Sequence, residues 1–349
     1  MSEATTSEAT TSEATGSGAA ADAARRGWSR TRWLREFSLL PAMALLILIG
    51  FIESPNFLTG DNFLAMLQQS TELSVLVLAE AVILIGGRMD LSLESTVTLA
   101  PVMALWLVLP TSGNRFNGLG FGAAWLAIPV CLLVGGAVGA VNGFLILKMN
   151  LNGFVVTLGM LTMLHGLVIV IDGGQTIFTL PPSFAYLGRH DWLGLPSSVW
   201  VCGLLFAVGI VALGWYRHGR ALYAIGGNPA AARAAGIRVD RTLWIVLIIG
   251  SMLAAFAGML YTGRLGSASA SQGTGKIFEV FAATVIGGVS MNGGRGSLFG
   301  ALTGVLTLRL IGNVLTFGHV SAQDIEFFNG MVILVALIVS RYTSGAAQE

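Results

Sequence analysis

The sequence predicts an all-α, polytopic membrane protein with about ten transmembrane helices, within a range of eight to ten. Of its 349 residues, 54% are hydrophobic and only 11% are charged, whereas soluble domains carry about 25% charged residues. Apolar runs close to the ~20 residues that span a bilayer recur along the chain. The formal net charge is only +1, so we expect no nucleic-acid partner.

The first 36 residues are predicted to form a disordered, low-complexity tail that ends in a basic juxtamembrane segment. Residues 1–18 repeat small polar and acidic residues in units of five, a composition that cannot bury a core. Five arginines then precede the first apolar run, from Phe37 to Ile52. Because no small-residue cleavage site closes that run, we interpret it as a membrane helix and not as a signal peptide.

The membrane domain is predicted to cover residues 37–341 and to be followed by a C-terminal tail at 342–349. Nine further runs long enough to be considered as spans follow the first: 63–87, 91–110, 122–147, 153–171, 197–216, 241–262, 277–291, 297–317 and 325–340. The 277–291 run is short and rich in glycine at its end, so a re-entrant or broken helix is the alternative there. The count would then fall to nine or eight.

The distribution of basic residues orients these spans. With ten spans and a cytoplasmic N-terminus, most of the 19 Lys and Arg residues fall in segments on the cytoplasmic side, as the positive-inside rule requires. We therefore predict that both termini lie in the cytoplasm.

The segment from Ile225 to Arg241 is the most polar stretch within the apolar part of the chain. Asn228 can cap a helix, Pro229 suits the first helical position, and Gly236 can adopt the left-handed conformation that ends it. Because so short a helix is marginal in water, we expect it to be docked against another surface.

The sequence carries no motif for catalysis, metal binding or a cofactor, so we expect a protein that is not an enzyme. Cys131 and Cys202 lie inside apolar runs, and the four histidines have no ligand spacing. The segment 273–276 lacks the first glycine and the final Ser or Thr of a phosphate-binding loop. Any ATP hydrolysis must therefore come from a separate chain.

A small set of polar residues lies at membrane depth or at its edges. Its members are Glu72, Glu80, Asp90, Glu94, Asn142, Thr157, Glu279, Arg309 and Asn313. Ionisable groups in a span are costly, so each one is a candidate for a transport pathway or for pairing. For Glu72 and Arg309, pairing with a neighbour or reaching to the interface is an equal alternative.

Four runs in order and register carry a resemblance to a known family. They are GGRMDLSLES at 86–95, NGFVVTLGMLTMLHG at 152–166, IGGNPAAARAAGI at 225–237 and VFAATVIGGVSMNGGRGSLFG at 280–300. The chain resembles the permease subunits of ribose/xylose/arabinose-type ABC importers, and the resemblance covers about Phe37 to Arg341. It implies a multi-pass protein of the bacterial plasma (inner) membrane that transports a monosaccharide or related polyol.

The resemblance also implies partners. These are a second permease subunit, identical or paralogous, two cytoplasmic ATP-binding subunits, an extracytoplasmic sugar-binding protein and the lipid bilayer. The loop from Asp172 to Pro196 is the longest predicted outer segment, and we expect the binding protein to dock there, with a simple interfacial loop as the alternative.

The resemblance assigns ATPase coupling to a cytoplasmic loop at 217–241. The residues expected to carry that coupling are Gly226, Gly227, Asn228, Pro229, Ala232, Arg233 and Gly236. Hydroxylated sugars suit weakly polar linings, and the translocation-path candidates are Asp90, Ser92, Asn142, Thr157, Glu279 and Asn313. Interhelical hydrogen bonding is the competing interpretation for Asn142, Thr157 and Asn313.

One departure from the family pattern is electrostatic. Arg88 and Glu94 stand where relatives usually carry glycine, and we hypothesise that the two form a charge pair. A rival function is an ion-coupled secondary transporter that uses Glu80, Asp90 and Glu279 as ion sites. A membrane-embedded enzyme is a third class, and it lacks a reactive cluster in the sequence.

Overall fold

The computed structural model describes residues 39–110, 118–121, 123–178 and 180–344. The predicted tail at 1–36 lies outside these residues. The last helix runs to Ser344, two residues into the predicted C-terminal tail, and 345–349 lie outside the described residues.

Thirteen α-helices make up most of the described part of the chain. They are α1 Leu40–Glu53, α2 Gly60–Ile85, α3 Leu93–Val108, α4 Ala127–Gly143, α5 Gly153–Asp172, α6 Pro182–Arg189, α7 Ser197–Trp215, α8 Arg217–Gly227, α9 Pro229–Ala234, α10 Val239–Leu265, α11 Lys276–Ile286, α12 Leu298–Phe317 and α13 Ala322–Ser344. Short 3₁₀ turns at Pro55–Leu58 and Ala124–Leu126 and a π-helical turn at Phe144–Lys148 adjoin them. The only described strands, β1 Asp191–Trp192 and β2 Leu195–Pro196, pair as an antiparallel hairpin.

Each predicted span coincides with a helix, and the polytopic helical fold is confirmed. Six helical segments of the described chain are long and apolar enough to cross a membrane: α2, α5, α7, α10, α12, and α4 with its flanking turns. α1 and α3 are shorter apolar helices. α11 has 11 residues, about 16 Å at 1.5 Å per residue, which is too short to cross a ~30 Å hydrocarbon core alone. That length fits the re-entrant or broken alternative, and the count of ten spans stays a prediction.

α2 and α10 form the centre of the bundle. α10 packs against α2, α3 and α4, while α12 packs against α1, α2 and α11. In the most apolar 18-residue stretch of α2, 83% of the residues are buried, whereas in the corresponding stretch of α7 only 22% are buried. A Cβ atom at Gly139 of α4 would lie 2.5 Å from the Leu247 carbonyl oxygen of α10, so small residues allow these two helices their close approach. α2 and α10 thereby bring polar groups from distant parts of the chain together.

Candidate functional site

A buried polar cluster joins the α2–α3 loop to α4. Asn142 donates from Nδ2 to Asp90 Oδ2 at 3.0 Å and to Ser92 Oγ at 2.8 Å. Ser92 donates to Asp90 Oδ1 from its hydroxyl at 2.6 Å and from its backbone N–H at 2.9 Å. All three residues are 0% exposed. The structure thus brings three of the six predicted path residues into one network, which we call the Asp90 cluster.

Glu80 adds a second buried carboxylate beside this cluster. It is 0% exposed, and its Oε1 accepts the Asp90 backbone N–H at 3.4 Å. Its Oε2 has no partner among the described residues. Because buried polar groups need hydrogen bonds, these contacts tie the α2–α3 loop to α2 and α4.

The other three path candidates lie elsewhere. The Thr157 hydroxyl is buried and donates to the Gly153 carbonyl of its own helix at 2.9 Å. Asn313 exchanges side-chain hydrogen bonds with Asn62 at 3.0 and 3.1 Å, which links α12 to α2. Glu279 belongs to a separate group of charges. Interhelical hydrogen bonding, the competing interpretation, therefore describes the contacts of Asn313.

A charged cavity forms the second polar feature of the bundle. Its volume is about 180 Å³, and its charged and aromatic lining consists of Glu72, Tyr261, Arg264, Lys276 and Arg309. These side chains come from α2, α10, α11 and α12. Five side chains from four helices thus converge on one space within the bundle.

Ion pairs organise the charged cavity. Arg264 Nε contacts Glu72 Oε1, with the two side chains 24% and 9% exposed. Arg309 Nη2 lies 3.0 Å from Glu279 Oε2, and Lys276 Nζ lies 3.6 Å from Glu279 Oε1. Pairing, rather than reach to an interface, is therefore the outcome for Glu72 and Arg309.

Sequence reasoning missed part of this cavity. The polar residues that the sequence indicates at membrane depth or its edges do not include Arg264, Lys276 or Tyr261. The guanidinium carbon of Arg264 and the Nζ atom of Lys276 lie 5.3 and 5.6 Å from the centroid of the Tyr261 ring. The spacing of Lys276 and Glu279 on one helix turn was a usable signal. Nothing local in the sequence indicates the partner of Arg264, which lies on α2.

The hypothesis that Arg88 and Glu94 pair is wrong. No ion pair joins them in the described chain, where Arg88 is exposed. Glu94 Oε2 instead accepts the backbone N–H of Ile277 at 3.1 Å. Its carboxylate thus satisfies a free donor in the first turn of α11, where the helix dipole favours negative charge.

The Ile225–Arg241 segment folds as its sequence predicts. Asn228 accepts the Ala231 N–H at 3.0 Å as the cap of α9, and Pro229 opens that helix. Gly236 has φ of 79°, the left-handed conformation that ends a helix. Ala232 is buried, and Arg233 pairs at 3.0 Å with Asp240, both being more than half exposed. The six-residue helix is therefore docked on the bundle through Ala232 and exposes its other residues.

A junction of glycines connects this segment to two other loops. The Gly294 N–H donates to the Ile85 carbonyl at 2.9 Å. Gly226 packs so closely that a Cβ atom would collide with Ile85 O and Gly294 N. Gly87 and Gly293 complete the junction with φ of 75° and 84°. By contrast, a Cβ atom at the neighbouring Gly227 would meet no other atom within 4 Å. The glycine junction therefore ties the end of α8 directly to the loop that holds Asp90.

Comparison with known proteins identifies the family. A family profile described as "Branched-chain amino acid transport system / permease component" matches residues 62–339. The chain belongs to this permease family. The ribose import permease protein of Escherichia coli K12 is 34% identical to this chain over 303 residues. The matched region covers 85% of this chain and 91% of that relative.

Two further relatives match over similar lengths. The ribose import permease protein of Haemophilus influenzae is 31% identical, with 86% of this chain and 92% of the relative covered. The L-arabinose transport system permease protein of E. coli K12 is 28% identical, and the match covers 89% of this chain and 92% of that relative. No solved structure gives a significant match. The resemblance noted from the sequence is confirmed, and the permease is a multi-pass plasma-membrane protein.

Proposed function

We propose that the chain is the transmembrane permease subunit of an ATP-binding-cassette importer for a monosaccharide or related polyol. The observation that carries this proposal is the coverage of the sugar permeases, since the match to the E. coli ribose permease takes in 91% of that protein. The family description names branched-chain amino acids, whereas the three relatives above are named for ribose and arabinose. The individual relatives favour a sugar.

The proposed assembly contains two permease subunits, two ATP-binding subunits in the cytoplasm and an external binding protein. About ten spans, with both termini in the cytoplasm, would place the α7–α10 connection on the ATPase side and the β1–β2 hairpin on the outer side. The polar residues at membrane depth then offer a hydroxylated cargo a series of weak contacts, which permit both entry and release. The binding protein is expected to deliver the sugar at the Asp172–Pro196 loop.

The proposed coupling element is α9 with its flanking turns, within 217–241. Its exposed alanines leave a narrow surface that suits a groove in an ATPase, and Ala232 anchors it to the bundle. The glycine junction gives a direct route from this element to the Asp90 loop, since a displacement of Gly226 presses on Ile85 and Gly294. In this proposal ATP binding moves α9, and the junction transmits that movement to α2 and α3.

The test uses the permease reconstituted with its ATP-binding subunits and binding protein. We expect a Gly236→Val variant to hydrolyse ATP with less than about one tenth of the wild-type uptake per ATP, because a β-branched residue resists φ near 79°. A Gly236→Asn variant is the matched control, since Asn tolerates this conformation and should retain coupling. Normal uptake per ATP in Gly236→Val would mean that the segment is only a connector.

The rival function has one observation in its favour, the adjacent buried carboxylates of Glu80 and Asp90. An ion-coupled carrier would transport without the ATP-binding subunits and would stop when the ion gradient is collapsed. We expect the opposite behaviour, with uptake that requires ATP and continues when ionophores remove the proton and sodium gradients. Glu279, the third carboxylate of that rival, is occupied by Arg309 and Lys276.

A further inference from the structure

The charged cavity carries more positive than negative charge. Its lining contains one carboxylate, Glu72, and three cations, Arg264, Lys276 and Arg309. Glu279 does not line the cavity, but its carboxylate pairs with two of those cations, Lys276 and Arg309. Glu94, the other carboxylate close to α11, points at the Ile277 N–H and does not line the cavity. Three cations thus face two carboxylates.

The cations also hold unused hydrogen-bonding capacity. Each guanidinium has five N–H donors and the ammonium has three, so two carboxylates cannot occupy them all. Arg309 Nε is buried and has no partner among the described residues. Lys276 stands 3.6 Å from its carboxylate, which is too long for a strong charge-assisted hydrogen bond. The free donors thus belong to residues whose side chains reach this one cavity.

An excess of cations in a partly buried cavity is costly unless an anion balances it, and charged groups among membrane helices mark a ligand or ion pathway. A neutral sugar does not need them, because hydroxyl and amide side chains supply its hydrogen bonds at lower cost. An anionic group would both neutralise the excess charge and accept the spare N–H donors, with a guanidinium as a bidentate partner. Gln69 and Tyr261 in the same lining carry polar groups suited to hydroxyls.

We propose that the charged cavity is a subsite for a monosaccharide that carries one carboxylate, as uronic and aldonic acids do. The proposal rests on the permease function above and narrows its substrate class. The carboxylate of the cargo accepts the spare N–H donors of Arg309 and Arg264 beside Glu279 and Glu72, which balances the three cations with three carboxylates. When the cargo leaves, the two protein carboxylates stay on their cations, so that the site keeps only its single excess positive charge and the anion is released.

A binding measurement on the permease alone separates this site from the selectivity of a binding protein. Saturation-transfer NMR on the full-length chain in lipid nanodiscs would compare D-glucuronate with D-glucose, which differ only in the carboxylate or hydroxymethyl group at C6. We expect glucuronate to bind at least tenfold more tightly than glucose at low salt. D-glucose 6-phosphate and inorganic phosphate distinguish a sugar acid site from a general anion site, and both should bind more weakly than glucuronate.

Variants then assign the difference to the cavity. Arg309→Gln should reduce the preference for glucuronate to less than threefold, and Arg309→Lys should retain part of it because the charge is kept. Lys148→Gln is the matched control, since it removes an exposed cation outside the cavity and should leave the preference unchanged. Native size-exclusion profiles of all three variants would establish that each remains folded.

Three results would overturn the proposal. They are equal binding of glucose and glucuronate, a preference that survives in Arg309→Gln, and binding of inorganic phosphate as tight as that of glucuronate. None of these results bears on the permease function, which fails only if the reconstituted importer takes up neither neutral sugars nor sugar acids at the expense of ATP.

Discussion

At the scale of single residues, Asn142 is a fully buried side chain that donates to two other buried polar groups. Its one amide nitrogen serves Asp90 and Ser92, and every atom of this network is removed from solvent. Buried acceptors that lose a donor retain their full desolvation cost, which exceeds the net value of an ordinary hydrogen bond. We therefore expect a substitution of Asn142 to lower the stability of the folded protein, whether or not Asn142 also contacts the cargo.

We predict that Asn142→Ala lowers the free energy of unfolding by about 2 kcal/mol, because it leaves the buried Asp90 carboxylate short of a donor. Denaturant titration in detergent micelles, followed by circular dichroism, measures the change. Thr157→Val is the control. Its hydroxyl donates only to carbonyls of its own helix, so its loss should cost less than about 1 kcal/mol. Equal stability of Asn142→Ala and wild type would exclude a structural role for the network.

Residue-level prediction worked where one residue decides its own conformation. The cap at Asn228 and the stop at Gly236 depend on local backbone preferences, and both are confirmed. It failed for Arg88 and Glu94, because side-chain partners depend on what lies across the bundle. Glu94 finds a backbone donor on α11 that is 183 residues away in sequence.

At the scale of elements, the glycine junction decides how α8 meets the loops beside it. Gly226 and Gly227 are neighbours in sequence and both end α8. A Cβ atom at Gly226 would point into the backbone of Ile85 and Gly294, whereas one at Gly227 would point into open space, although the Gly227 backbone also lies beside Gly294. The two positions therefore form a matched pair in which the same methyl group is added to a crowded and to an open site.

We predict that Gly226→Ala destabilises the folded permease by about 1–3 kcal/mol through overpacking against backbone atoms that cannot move aside. Gly227→Ala should be neutral or stabilising by up to about 1 kcal/mol, because alanine favours the helix. Thermal unfolding of both variants in the same detergent gives the comparison. Equal unfolding temperatures for the two variants would show that the junction can accommodate a methyl group at Gly226, contrary to this prediction.

Elements themselves were well predicted where apolar runs were long. All ten predicted spans coincide with helices, since the bilayer requires backbone hydrogen bonds to be made within a helix. The 277–291 run shows the limit of this reasoning. Its helix ends at Ile286, where two glycines follow and the chain turns, and hydropathy alone does not distinguish a full span from half of one.

At the scale of the whole molecule, α7 separates two exposed sites that the predicted topology assigns to opposite faces of the membrane. Leu193, at the tip of the β1–β2 hairpin, is 94% exposed. Arg238, just before α10, is also exposed. α7 lies between them and is among the helices able to cross a membrane. The native cysteines Cys131 and Cys202 are buried, so introduced cysteines can be read against a low background.

We predict that Leu193→Cys reacts with a membrane-impermeant maleimide in intact cells and that Arg238→Cys reacts only in inside-out vesicles. The physical reason is the single crossing by α7 together with the excess of basic residues beside Arg238. The wild-type chain provides the control for labelling of native cysteines. Reaction of both variants from the same side would contradict the ten-span topology.

The sequence by itself determined that this is a membrane protein, where its helices lie along the chain, and the local conformation of the 225–241 segment. These properties depend on composition and on backbone preferences that act within a few residues. Only the tertiary structure decided which polar groups meet. Glu72 and Arg264 are 192 residues apart in sequence, and they pair because α2 and α10 present these faces to one another at the centre of the bundle. Helix rotation and register set such contacts, and no local pattern in the sequence encodes them.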